Sequence, residues 1–197
     1  MTETQSGGTA VVVYGASSEN IKQIYKDEAF KVGRLLASGG HSVVCGGGRQ
    51  GLMCAAIEGA LSAGGNAIGV LPQFMVANEW QHPGLTQMIE VPDMHIRKET
   101  MARMSVAAIA CPGGCGTFEE LTELITWRQL GLYHGNIVIL NIGGYYDLLI
   151  EMFDKAIDEG FMHHDHRRLF EVAVNAEEAV RLALGPVEAT SFSQKIH

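Results

Sequence analysis

The sequence predicts a Rossmann-like, doubly wound α/β fold, a parallel sheet covered by helices on both faces. Two observations carry that prediction. Short, nearly continuous apolar runs alternate with helical patterns along most of the 197 residues, as expected of strands buried on both faces and joined by crossover helices. Glycines follow the apolar runs at 15, at 46–48 and at 113, 114 and 116. Right-handed crossovers bring such strand-to-helix turns to one sheet edge, where open α/β sheets bind their ligands.

The elements follow in order. Residues 11–14 (V-V-V-Y) read as a first strand. A helix is expected over 20–38, with Ile21, Ile24, Tyr25, Val32, Leu35 and Leu36 on its inner side and Gly39-Gly40 closing it. A second strand at 42–45, a helix at 51–63 and a third strand at 67–71, ended by Pro72, come next. From 73 to 92 the pattern weakens into a loop containing a short apolar stretch at 88–91. Asp93 is placed to cap a helix over 94–105. A strand at 107–110, a glycine turn and a helix to about 130 follow, then a strand at 137–140, a helix at 146–159, a strand at 170–174 and a helix at 176–184.

With 47% hydrophobic and 18% charged residues, the chain is expected to form one nucleotide-binding α/β domain over 1–197, with loose tails at 1–8 and 186–197. A formal charge of −8 opposes broad attraction to nucleic acid or an anionic membrane. It leaves room for a small phosphorylated ligand, which needs only local positive groups. No apolar run reaches membrane-spanning length, and the polar residues 1–8 lack the apolar core of a signal peptide, so the cytoplasm is the expected compartment. Cys45, Cys54, Cys111 and Cys115 lack C-x-x-C spacing and are expected to be reduced thiols, with packing the reading for Cys111 and Cys115. His163, His164 and His166 adjoin Arg167 and Arg168 and read as a solvated loop; no metal site is expected there.

The segment 111–120, C-P-G-G-C-G-T-F-E-E, is the most informative. Gly113, Gly114 and Gly116 allow close backbone approach to a ligand, and the start of the next helix suits a phosphate. Glu119 and Glu120 sit in its first turns, about 100° apart, so one is expected to face inward. Apolar Leu124 and Trp127 follow Glu120 at helical spacing and favour it. On the preceding helix, Arg97 shares a stripe with Met94, Met101 and Met104, with Lys98 beside it. A guanidinium on an apolar stripe needs an acid or an anionic ligand, so an Arg97–Glu120 pair is expected. Gly46, Gly48 and Gly51 satisfy G-x-G-x-x-G, but Val70-Leu71-Pro72 stands where a dinucleotide site needs its ribose-binding acid. NAD is therefore disfavoured, and these glycines are expected to help floor the pocket. Walker-type G-x-x-x-x-G-K-[ST] and hydrolase-type G-x-S-x-G motifs are absent.

The motif P-G-G-x-G-T-x-x-E at 112–120 and D-M-H-x-R-K at 93–98 resemble those of the Lonely Guy (LOG) family, cytokinin riboside 5′-monophosphate phosphoribohydrolases often labelled lysine decarboxylases. The resemblance extends through V-V-Y-G-A-S-S, G-G-G-R-Q-G-L-M, L-I-T-W-R-Q-L-G and G-Y-Y-D-L-L. It implies Arg97 and Glu120 as the catalytic pair. It implies substrate contacts from Glu79, Arg97, Lys98, Gly114, Cys115, Gly116, Thr117, Phe118, Glu119, Glu120 and Thr126, with residues 114–117 and Lys98 on the phosphate. It also implies a homodimer, a nucleotide monophosphate as the small-molecule partner, and no cofactor or metal.

The implied reaction hydrolyses the N-glycosidic bond of an N6-modified adenosine 5′-monophosphate to free base and ribose 5-phosphate. Glu120 would stabilise an oxocarbenium-like state, and Arg97 would orient it and keep it ionised. The alternatives are a broader purine monophosphate nucleosidase acting on AMP and a nucleotide carrier without turnover. Nothing beside Lys98 marks a cofactor Schiff base, so a lysine decarboxylase is the weakest reading.

Overall fold

A computed structural model describes residues 9–187. The tails expected at 1–8 and 186–197 lie outside the described residues, apart from Pro186 and Val187. The strands are β1 (Ala10–Tyr14), β2 (Ser42–Cys45), β3 (Ala67–Pro72), β4 (Gln87–Val91), β5 (Ser105–Ala110), β6 (Asn136–Leu140) and β7 (Glu171–Ala173). The helices are α1 (Gln23–Ser38), α2 (Gly51–Ser62), α3 (Gln73–Ala77), α4 (Met94–Met104), α5 (Cys115–Gln129), α6 (Asp147–Asp158) and α7 (Ala176–Ala183).

The seven strands form one sheet in the order β4-β3-β2-β1-β5-β6-β7, and every pairing is parallel. Alternation along the strands splits the core in two. Val11, Val13, Val43, Ala107, Ile109 and Val138 meet α1, α2 and α7 on one face. Val12, Tyr14, Val70, Ala108, Ile137 and Ile139 meet α4, α5 and α6 on the other. This is the doubly wound arrangement the apolar runs predicted. Chain order reverses between β1 and β5, so the crevice at their C-terminal ends is the topological switch point, the place where such sheets bind ligands.

The expected loop at 73–92 is a correction: it holds the short helix α3 and the edge strand β4, which pairs with β3 from Ile68↔Gln87 to Pro72↔Val91. Gln87, Met88 and Glu90 are exposed, so the edge strand carries little of the apolar signal that marks a buried one. The helix expected to reach 105 stops at Met104, and Ser105 begins β5 with no loop between them. Asp93 caps α4 as expected. Its Oδ1 accepts from the His95 and Ile96 amides at 2.8 and 2.9 Å, a cap worth about 1 kcal/mol that fixes where Arg97 and Lys98 fall. The histidine cluster opens a short 3-10 helix, His164–Leu169, in which the His163 side chain accepts from the Asp165 amide. No helix among the described residues is long and apolar enough to cross a membrane.

Candidate active site

Strand β5 delivers buried Cys111 and Pro112 to the switch point, and α5 begins three residues later, after Gly113 and Gly114. A Cβ at Gly113 would stand 2.1 Å from the Thr117 hydroxyl. Only glycine there lets Thr117 fold back over the turn. The N-cap of α5 is Gly114, which offers no side-chain acceptor, so the first amides of the helix keep the free hydrogen-bonding capacity that helix starts carry.

The turn is braced from three directions. The Ala16 amide donates to the Pro112 carbonyl at 3.0 Å. Tyr145 and Tyr146 hydroxyls donate to the Gly113 and Cys111 carbonyls at 2.5 and 2.7 Å, and the Asn141 side chain accepts from the Tyr146 amide at 2.7 Å. Sequence reading did not identify these braces. G-Y-Y-D-L-L was visible as a motif, but no local periodicity connects a tyrosine at 145 with a carbonyl 32 residues earlier.

Arg97 on α4 and Glu120 on α5 meet across the crevice, Nη1 to Oε1 at 3.0 Å, with side chains only 7% and 12% exposed. Arg97 Nε donates to the Val70 carbonyl at 3.0 Å, which fixes the plane of the guanidinium. Gly46 explains how the arginine fits: a Cβ at that position would lie 1.8 Å from Nη2. One glycine of the weak dinucleotide fingerprint thus provides the bed for Arg97. Burial pushes the Glu120 carboxyl above its ordinary value; Arg97 pulls it back without cancelling the shift, and Glu119 adds to the rise. Arg97 therefore favours the ionised carboxylate, as expected, against a larger opposing effect of desolvation.

The pair opens into a cavity of about 620 Å³ lined also by Gly15, Ser17, Arg49, Met53, Leu71, Met75, Trp80 and Met94, a size suited to a small molecule. Of the expected contacts, Arg97, Gly114, Cys115, Gly116, Thr117 and Glu120 line it. Glu79, Lys98, Phe118, Glu119 and Thr126 do not. Lys98 is buried and ion-paired with Glu119 and with Glu123, the latter at 3.1 Å. Burial alone would lower its ammonium, but those two carboxylates raise it. Its charge is therefore spent within the protein, not offered to the cavity. Phe118 packs edge-on against Tyr146. Thr126 is exposed on α5 and donates to the Thr122 carbonyl at 2.8 Å. Glu79 is exposed beside the cavity wall in a left-handed conformation, φ 56°, just after α3, a conformation uncommon for a residue with a side chain.

Cys45 and Cys111 are buried, as packing thiols should be, and burial raises their pKa values to about 11 and about 12. Cys115 departs from that expectation. It is exposed at the first position of α5 and lines the cavity.

A helix start joined to a buried arginine–carboxylate pair defines a Rossmann-like protein with a cavity of small-molecule size at the switch point. Comparison with known proteins narrows that class. A family model described as "Possible lysine decarboxylase" matches residues 53–183. Cytokinin riboside 5′-monophosphate phosphoribohydrolase LOG7 of Arabidopsis thaliana is 40% identical over 181 residues, covering 92% of this chain and 83% of its own. The probable phosphoribohydrolase LOGL9 of Oryza sativa subsp. japonica is 40% identical over 176 residues, 89% and 78% of the two chains. The chain belongs to the LOG family. Solved structures with the same fold include the molybdenum cofactor binding protein of Rippkaea orientalis (21% identity, TM-score 0.72, 90% and 96% coverage). They also include the molybdenum cofactor carrier protein of Chlamydomonas reinhardtii (23%, 0.69, 88% and 94%).

Proposed function

We propose that this chain hydrolyses the N-glycosidic bond of an N6-modified adenosine 5′-monophosphate, releasing the free base and ribose 5-phosphate. The observation that carries the reading is the buried Arg97–Glu120 pair, 3.0 Å apart, in the wall of the cavity that holds the glycine turn. Relatives named for this activity, at 38–40% identity over most of the chain, support it.

In this reading the phosphate binds at Gly114, Cys115, Gly116 and Thr117, where helix amides and the positive end of the α5 dipole favour an anion. The base lies against Met53, Leu71, Met75, Trp80 and Met94, an apolar wall suited to a purine with an apolar N6 substituent. The ribose then spans the two, with its anomeric carbon toward Glu120. Cleavage of the bond builds positive charge on the ring, and the carboxylate stabilises it while activating water or acting as nucleophile. Arg97 holds the carboxylate in place and opposes the tendency of burial to protonate it. Binding energy from the distant phosphate positions the ribose, so the monophosphate reacts and the riboside does not.

The working unit is one domain, acts in the cytoplasm and assembles as a homodimer. Leu132, Leu148, Met152 and Phe161, all more than 60% exposed, support an assembly that covers apolar surface.

Glu120→Gln and Arg97→Ala test the assignment. Both are expected to remain folded and to lose base release by about a hundredfold or more, the scale of losing a preorganised charge at a reacting centre. Hydrolysis near the wild-type rate in either variant overturns it.

A further inference from the structure

We infer that Arg49 is the cation that binds the substrate's phosphate, a role that rests on the nucleotide reading proposed above. Three charged side chains line the cavity: Arg49, Arg97 and Glu120. Arg97 and Glu120 neutralise one another at 3.0 Å. Lys98, the cation expected to serve the phosphate, stands outside the lining and is ion-paired with Glu119 and Glu123. Arg49 is exposed at the cavity wall, and among the described residues its guanidinium has no hydrogen-bond or carboxylate partner.

A phosphate monoester carries about −1.5 to −2 charges near neutral pH, whereas a helix start offers roughly half a positive charge. In a chain with a formal charge of −8, the helix end alone leaves most of that charge unmatched. The loop after β2, which bears Arg49, and the turn after β5 flank β1 in the sheet order, about 10 Å apart at two strand spacings. A phosphate resting on the α5 amides therefore faces the Arg49 loop across the crevice, and a guanidinium suits bidentate contact with its oxygens.

The loop is held in place by its own backbone. The Arg49 amide donates to the Trp80 carbonyl at 3.0 Å, the His82 amide donates to the Gly47 carbonyl at 2.8 Å, and Gly48 bridges Gln81. The Arg49 side chain makes none of these bonds, so its replacement leaves the scaffold intact. The same contacts tie the phosphate cation to Trp80 in the base wall, linking recognition of the two ends of the nucleotide.

The test measures AMP and adenosine binding by calorimetry for wild type, Arg49→Gln and Arg49→Lys, with free base followed chromatographically in the same samples. Arg49→Gln should weaken AMP about tenfold, leave adenosine unchanged and flatten the loss of AMP affinity between low and high salt; Arg49→Lys should recover part of the loss. With prenylated AMP, kcat/KM should fall about tenfold, through kcat as well as KM, because phosphate binding also positions the ribose. AMP binding by Arg49→Gln within twofold of wild type, equal losses for AMP and adenosine, or a wild type that does not prefer AMP over adenosine each overturn the role. Arg49-dependent AMP binding without base release from any substrate supports the role and overturns the hydrolase reading alone.

Discussion

Gly46→Ala tests whether the Arg97–Glu120 pair depends on the bare backbone beneath it. The added methyl carbon would sit 1.8 Å from Arg97 Nη2 and 3.0 Å from both Cζ and the Met53 sulfur. Met53 can swing away, but Arg97 cannot easily do so, because Nε is committed to the Val70 carbonyl and Nη1 to Glu120, each at 3.0 Å. Accommodating the methyl breaks or stretches both bonds, and breaking a buried ion pair costs about 3–5 kcal/mol. Partial relaxation of the loop should bring the stability loss to about 3 kcal/mol, or about 6–12 °C in Tm for a chain of this size. Displacing Glu120's orienting partner by an ångström should lower kcat about a hundredfold. The assay pairs thermal unfolding with chromatographic measurement of base release, at a temperature where circular dichroism shows the variant folded. Gly48→Ala is the control, since its Cβ would meet only the flexible end of Met53 at 3.0 Å. A Gly46→Ala protein with wild-type Tm and turnover would refute the packing of Arg97 on this glycine.

Further outcomes follow from the same geometry. Because burial raises the Glu120 carboxyl, kcat/KM should fall on acidification with a midpoint above the ordinary carboxylate range. By linkage, Glu120's contribution to stability is full below its unfolded pKa and is lost as pH rises through the raised folded value. Glu120→Gln should abolish that component in pH-dependent unfolding; an unchanged profile argues against a raised carboxyl. Tyr145→Phe removes the 2.5 Å bond to the Gly113 carbonyl, and about tenfold lower kcat/KM with an intact fold is expected from steady-state kinetics. In a Cys54→Ser background, maleimide should modify exposed Cys115 and block activity. AMP should protect against it, and buried Cys45 and Cys111 should resist in a mass-spectrometric time course.

Much of this architecture was legible because its determinants are local. Apolar strands at 11–14, 42–45 and 137–140, the Asp93 cap and the glycine turn each declare themselves within a few residues. Arg97 on an apolar stripe also demanded a buried anion, and the structure places Glu120 beside it. What escaped depends on contacts far apart in sequence. The edge strand β4 is mostly exposed and owes its pairing to β3. The acids on α5 that take up Lys98, and the wall segment that places Arg49, come together only in the folded chain. Cys115 read as a packing thiol until the start of α5 placed it at the cavity surface.

The most direct test of the central claim is to incubate the protein with N6-prenylated AMP, plain AMP and the matching prenylated riboside, following free base by chromatography. Rapid release from the prenylated monophosphate, slower release from AMP and essentially none from the riboside are expected, with release abolished by Glu120→Gln. Comparable rates on the riboside, or release that survives Glu120→Gln, would contradict it.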